Sequence, residues 1–105
     1  MYARVTLLEF DPVRFDVGAT LERFEQSVVP ELQEQPGYAG ALVLASDEDK
    51  GMVVTLWDSK EDADAGLATG FWAAQVERFV TLLAAPPGRE GYEVVYAETP
   101  ELAPR

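Results

Sequence analysis

Any chemistry in this chain must run on carboxylates, Tyr, Lys, Arg, Trp or the backbone, because it contains neither histidine nor cysteine. Without histidine the commonest general base is missing, as is the usual ligand of zinc, non-haem iron and haem. Without cysteine there are no disulfides, no thiolate nucleophiles and no thiolate-bound metals. Serine–histidine and cysteine–histidine pairs are excluded together. Seven residues then stand out as candidate ligand contacts. Trp57 leads them: it sits at the end of a strand-like run beside a helix start at Ser59, and carries one N–H donor on a large apolar body. Its other reading is a core aromatic that packs a sheet against helices. Phe71 and Trp72 follow the glycine-flexed segment Gly66-Leu67-Ala68-Thr69-Gly70, which could move as a pocket lid. Alternatively, one of the pair enters the core and the other caps a pocket or dimer edge. Tyr38, Tyr92 and Tyr96 could donate phenol hydroxyls to a ligand oxygen, or serve an interface. Arg4, if its strand face points inward, needs a carboxylate such as Glu9 or Glu93, and an interface ion pair is the structural reading for it.

These residues need elements to hold them. Residues 2–10 read as a first strand, rich in β-branched and aromatic side chains and ended by Asp11-Pro12. A helix is expected over residues 20–35, with Leu21, Phe24, Val28 and Leu32 at helical spacing and a kink or new turn at Pro30. Pro36-Gly37 stops it. Residues 38–46 and 51–58 form a hairpin around a charged reversal, and Gly40 marks a bulge or a close backbone approach. Ser59 followed by Asp62 is a helix-capping pattern. Gly66 and Gly70 divide the next helical region into a short piece over 60–67 and a longer one over 71–85, whose buried stripe is Trp72, Val76, Phe79 and Leu83. Residues 86–88 force a loop, and the last strand is expected over 92–97, with Tyr92, Val94 and Tyr96 on one face.

The order is β-α-β-β-α-β, an α+β, ferredoxin-like arrangement around a four-stranded antiparallel sheet. One domain over residues 1–98 and a C-terminal tail over 99–105 account for the chain. With helices on one face only, the other face of such a sheet stays bare unless a partner covers it. A net charge of −11 argues against nucleic acid and anionic membranes. The acidic clusters Asp47-Glu48-Asp49 and Glu61-Asp62-Ala63-Asp64 read as a solvated turn and a helix N-terminus, without the spacing of a calcium loop. No metal site is expected. Apolar runs too short to span a bilayer, and an N-terminus without signal-peptide character, make cytoplasmic the default location.

Over residues 2–98 the chain resembles the antibiotic biosynthesis monooxygenase family of the dimeric α+β barrel superfamily. The resemblance rests on Pro36-Gly37-Tyr38, on Val53-Val54-Thr55-Leu56-Trp57-Asp58-Ser59, on Lys60-Glu61-Asp62-Ala63, and on Phe71-Trp72 about fifteen residues beyond Trp57. It implies a homodimer built by sheet-to-sheet packing, and a small apolar pocket between each sheet and its helices. In some members that pocket oxygenates phenolic polyketides with no metal, flavin or haem. The haem-degrading members use a histidine, which is absent here. Of the polar set carried by the oxygenating members, Asn, Trp, Tyr and Arg, only Trp57 matches by motif, and the chain has no asparagine. Two functions follow. One is a cofactor-independent monooxygenase acting on a small phenol- or quinol-type aromatic. The other is a non-catalytic homodimer that binds a small hydrophobic ligand or is purely structural.

Overall fold

The structure, a computed structural model, describes residues 1–100. Four strands form one antiparallel sheet: β1 (Tyr2–Glu9), β2 (Tyr38–Ala45), β3 (Lys50–Trp57) and β4 (Gly88–Glu93), in the spatial order β2-β3-β1-β4. The two central strands are the richest in β-branched residues, and they pair in register from Tyr2 opposite Trp57 to Glu9 opposite Lys50. Since side chains alternate along a strand, this register puts Tyr2, Arg4, Thr6 and Leu8 on the same face as Val53, Thr55 and Trp57. Ala3, Val5 and Leu7 share the opposite face with Met52, Val54 and Leu56.

Helices cover only the first face. The first helical region divides into α1 (Val17–Arg23), a π-turn (Phe24–Val28) and α2 (Val29–Gln33). Pro30 explains the division: it has no N–H to donate and enters at the start of α2, while the turn before it widens to pass the ring. The expected break at Pro30 is therefore present, as a π-bulge. Gly37 follows at φ 76°, and a side chain there would collide with that of Asp62. The Gly37 carbonyl accepts from the Asp58 N–H at 2.8 Å, tying the first helical region to the end of β3. The bulge between Tyr38 and Gly40 falls where the sequence places it.

Ser59 caps α3 (Lys60–Ala68), its hydroxyl accepting from the Asp62 N–H at 3.1 Å. Two expectations are corrected here. Gly66 does not break α3, which runs through it and stops at Thr69-Gly70. The following helix, α4 (Phe71–Glu77), ends well before residue 85 and gives way to a 3₁₀ turn, Val80–Leu82. The reason lies in β1: Ala84 N–H donates to the Glu9 carbonyl at 2.8 Å and Asp11 N–H to the Leu82 carbonyl at 2.7 Å, so the chain must already be extended there.

The last strand is also corrected, from 92–97 to Gly88–Glu93. Its register on β1 places Glu93 opposite Tyr2, with one further bond, Val94 N–H to the Met1 carbonyl at 3.0 Å. Val95 and Tyr96 have the right residue types for a strand and pair with no strand among the described residues. Residues 101–105 of the expected tail lie outside the described residues.

The core is small and one-sided. Tyr2, Val28, Leu32, Trp57 and Ala63 form it, with Phe24, Tyr38, Phe71 and Phe79 packed around. On the bare face Ala3 and Val5 are shielded, but Leu42, Leu44 and Tyr92 are largely exposed. No helix of the described residues is long and apolar enough to cross a membrane.

Candidate active site

Between the sheet and its helical layer lies a cavity of about 130 Å³. Its floor is the alternating face already described: Arg4, Thr6 and Leu8 of β1, Val53, Thr55 and Trp57 of β3, and Arg89 of β4. Phe24, Val28 and Leu32 make one wall, and Phe71, Trp72, Gln75 and Val76 of α4 the other. Apolar side chains dominate, and Thr6 and Arg89 lie against Trp72 of α4. A second, broader groove of about 500 Å³ runs past Leu7, Leu44 and Pro86, with Glu9, Ser46 and Lys50 as its polar side chains.

Trp57 is 5% exposed and is both core and cavity lining. Its indole N–H donates to Thr55 Oγ1 at 2.9 Å, two residues back on the same strand face. Tyr38 meets it edge-on, ring centroids 5.8 Å apart. Burial raises the Tyr38 phenol above its ordinary pKa and keeps it protonated, and it stands behind Trp57 and outside the cavity lining. Trp72 contrasts with Trp57. It is half-buried, and its N–H crosses from α4 to the sheet, donating to Thr6 Oγ1 at 3.1 Å. Phe71 lines the same wall next to Gly66.

Arg4 is found on the helix side of the sheet, and its carboxylate is Asp64 of α3 rather than Glu9 or Glu93. The guanidinium also lies 5.4 Å from the Tyr2 ring centroid. Tyr92 and Tyr96 are away from the cavity. Tyr92 is on the bare face and donates its hydroxyl to Glu90 at 2.7 Å, a contact that raises its pKa, and Tyr96 is 81% exposed.

Two cavity residues escaped the sequence reading, Gln75 and Arg89. Gln75 belongs to a polar clasp. Its Nε2 donates to Glu31 at 2.5 Å, and Arg78 donates to the other Glu31 oxygen at 2.6 Å and to the Ser27 carbonyl at 2.7 Å. These bonds hold Glu31 below its ordinary pKa, Gln75 first and Arg78 second. The clasp joins α4 to α2 across the cavity roof. Arg89 could have been found only through the β1–β4 register, which sets it opposite Thr6. The residues lining the cavity include no carboxylate, tyrosine, lysine or histidine. Among the described residues no three acidic side chains gather as metal ligands would.

Backbone comparison places this arrangement. The monooxygenase ActVA-Orf6 of Streptomyces coelicolor, solved with nanaomycin D, superposes at TM-score 0.73 with 20% identity, over 95% of this chain and 92% of that one. SnoaB of Streptomyces nogalater, a cofactor-independent oxygenase, gives 0.69 at 13% identity over 95% and 97%. A protein of unknown function from Nitrosomonas europaea gives 0.71 at 25% identity over 95% and 94%. Antibiotic biosynthesis monooxygenases are among the further matches. The fold is that of the antibiotic biosynthesis monooxygenases. Neither a protein-family model nor a curated protein sequence matches the chain. At these identities the likeness is one of fold, and the chemistry rests on the cavity's own residues.

Proposed function

We propose that the cavity binds a small aromatic compound of phenol or quinol type and that the protein acts as a cofactor-independent monooxygenase on it. The observation that supports this most is the lining itself: an apolar aromatic slot with two guanidiniums and the Thr6 hydroxyl as its donors and no side chain able to take a proton. Such a site cannot deprotonate a substrate. It can hold one already ionised. Arg89, Arg4 and the Thr6 hydroxyl stabilise the anion, and Trp57 and Trp72 flank the ring. The anion gives one electron to dioxygen, the resulting radical and superoxide join in a C–O bond, and the peroxide loses its outer oxygen as water. The attacked ring carbon gives up its hydrogen and becomes a carbonyl as the O–O bond breaks, so phenolate, dioxygen and one solvent proton give a quinone and water, and no reductant is consumed. Oxygen uptake during titration with phenols and hydroquinones tests this. Saturable uptake that falls in Trp57→Phe supports it, and saturable binding without uptake contradicts it.

The lack of a base in the cavity also favours a second reading, a binding protein that holds such a compound without turning it over. In either case the functional unit is a homodimer. Support for this comes from the bare sheet face, where Leu42, Leu44 and Tyr92 are exposed, and from Val95 and Tyr96 beyond the last paired residue. Sedimentation at micromolar concentration tests it: a dimer is expected, and a monomer contradicts the proposal.

A further inference from the structure

Arginine is an unusual lining for an apolar cavity, and this cavity has two, in a chain of net charge −11. They are not equivalent. Arg4 has its counter-charge in Asp64. Arg89 has none: no carboxylate lies within ion-pair distance of it among the described residues, and its Nε, like that of Arg4, is buried without an acceptor. Its guanidinium packs over the Trp72 ring, 5.5 Å from the centroid. The adjacent carboxylate on β4, Glu90, is turned to the other face and occupied by Tyr92. Burial first and Arg4 second push Arg89 below the ordinary arginine pKa, as expected for a cation short of counter-charge. It remains protonated.

The neighbours of Arg89 fit the same need. Thr6, opposite it in the register, accepts from Trp72 through Oγ1 and so keeps its own O–H to donate. Opposite Arg4 stands Gly91, where a Cβ would collide with Arg4 Nη1 and the Tyr2 hydroxyl. Glycine there lets Arg4 lie across β4 beside Arg89. A partly buried cation without a partner is costly, and here two cations adjoin with one carboxylate between them. A planar anion on the ligand meets both requirements, since a guanidinium fork binds a carboxylate with two parallel hydrogen bonds.

We propose that Arg89, with Thr6 beside it and Arg4 behind, anchors a carboxylate on the aromatic ligand, so that the site takes aryl carboxylates in preference to their neutral analogues. This rests on the reading of the cavity as an aromatic site and gives its donors to the carboxylate; it therefore goes with binding rather than oxygenation, since the same groups cannot also hold a phenolate at the far side of the ring. A cavity of about 130 Å³ suits a single ring, since an apolar cavity of about 150 Å³ accepts benzene.

Tryptophan fluorescence of the full chain, titrated with 4-hydroxybenzoate and separately with 4-hydroxybenzamide at pH 7, tests the proposal. The two share ring and hydroxyl and differ in charge. The acid is expected to bind roughly tenfold or more tighter. Arg89→Met should lose that preference while still binding the amide, and Arg89→Lys should recover only part of it, because an ammonium lacks the fork. Equal binding of acid and amide by the wild type, or a preference that survives in Arg89→Met, overturns the proposal and leaves the aromatic site standing. Binding of neither by protein with native circular dichroism overturns both.

Discussion

The two tryptophans face one cavity and do different work. Trp57 is sealed among Tyr2, Val28, Leu32 and Ala63, and its N–H is satisfied within its own strand. Trp72 is half-buried on α4, a helix with no fully buried residue, and its N–H is satisfied only by reaching across to Thr6. One end of the cavity is therefore core. The other is a wall held by a few polar bonds: Trp72 to Thr6, and Gln75 and Arg78 to Glu31. Local stability follows buried apolar contact, so the α4 wall is the part able to yield to a ligand.

The contrast is broken or sharpened first by truncation. Trp57→Ala should lose about 3–5 kcal/mol in urea unfolding, as expected for removing a buried aromatic. Trp72→Ala should lose less than half of that, because its ring already meets solvent. Equal losses would mean that the α4 wall is as much core as the rest. Next in size is Thr6→Val, which keeps the side chain's shape and removes the acceptor of the Trp72 N–H. A loss of about 1–3 kcal/mol is expected, with a shift in Trp72 emission. An unchanged emission spectrum would show that the cross-link does not position the indole.

The smallest effect belongs to the clasp. Glu31 has a lowered folded pKa, so its contribution is complete above the ordinary carboxylate pKa near 4.5 and is lost as the pH falls through the folded value. Wild type should therefore lose more melting temperature between pH 6 and pH 3 than Glu31→Gln does. Identical pH profiles would remove the clasp from the account.

The sequence carried the first three strands and the β-α-β-β-α-β succession because strand and turn chemistry is local. Gly40, Pro30, Gly37 and the Ser59 cap each mark a backbone event within a few residues. It carried less of the second helical region, where tertiary pairing of Ala84 with Glu9 overrides the helical spacing of Phe79 and Leu83. The site divides in the same way. Trp57, Phe71 and Trp72 announce themselves by type, whereas Arg89 matters only through its register opposite Thr6, two strands that lie far apart in the chain. Arg4 was visible, but its partner Asp64 was not, because the pairing depends on which sheet face the helices cover. Tyr92 and Tyr96 look like ligand donors by type alone, but the register opposite Ala3 turns Tyr92 to the bare face and Tyr96 lies beyond the paired residues.

The most direct measurement is the fluorescence of the Trp57→Phe protein, in which Trp72 is the sole tryptophan, during titration with 4-hydroxybenzoate while dissolved oxygen is recorded. The account predicts saturable quenching, because the ligand must lie against Trp72. A folded protein whose Trp72 emission is unmoved across the titration would contradict it.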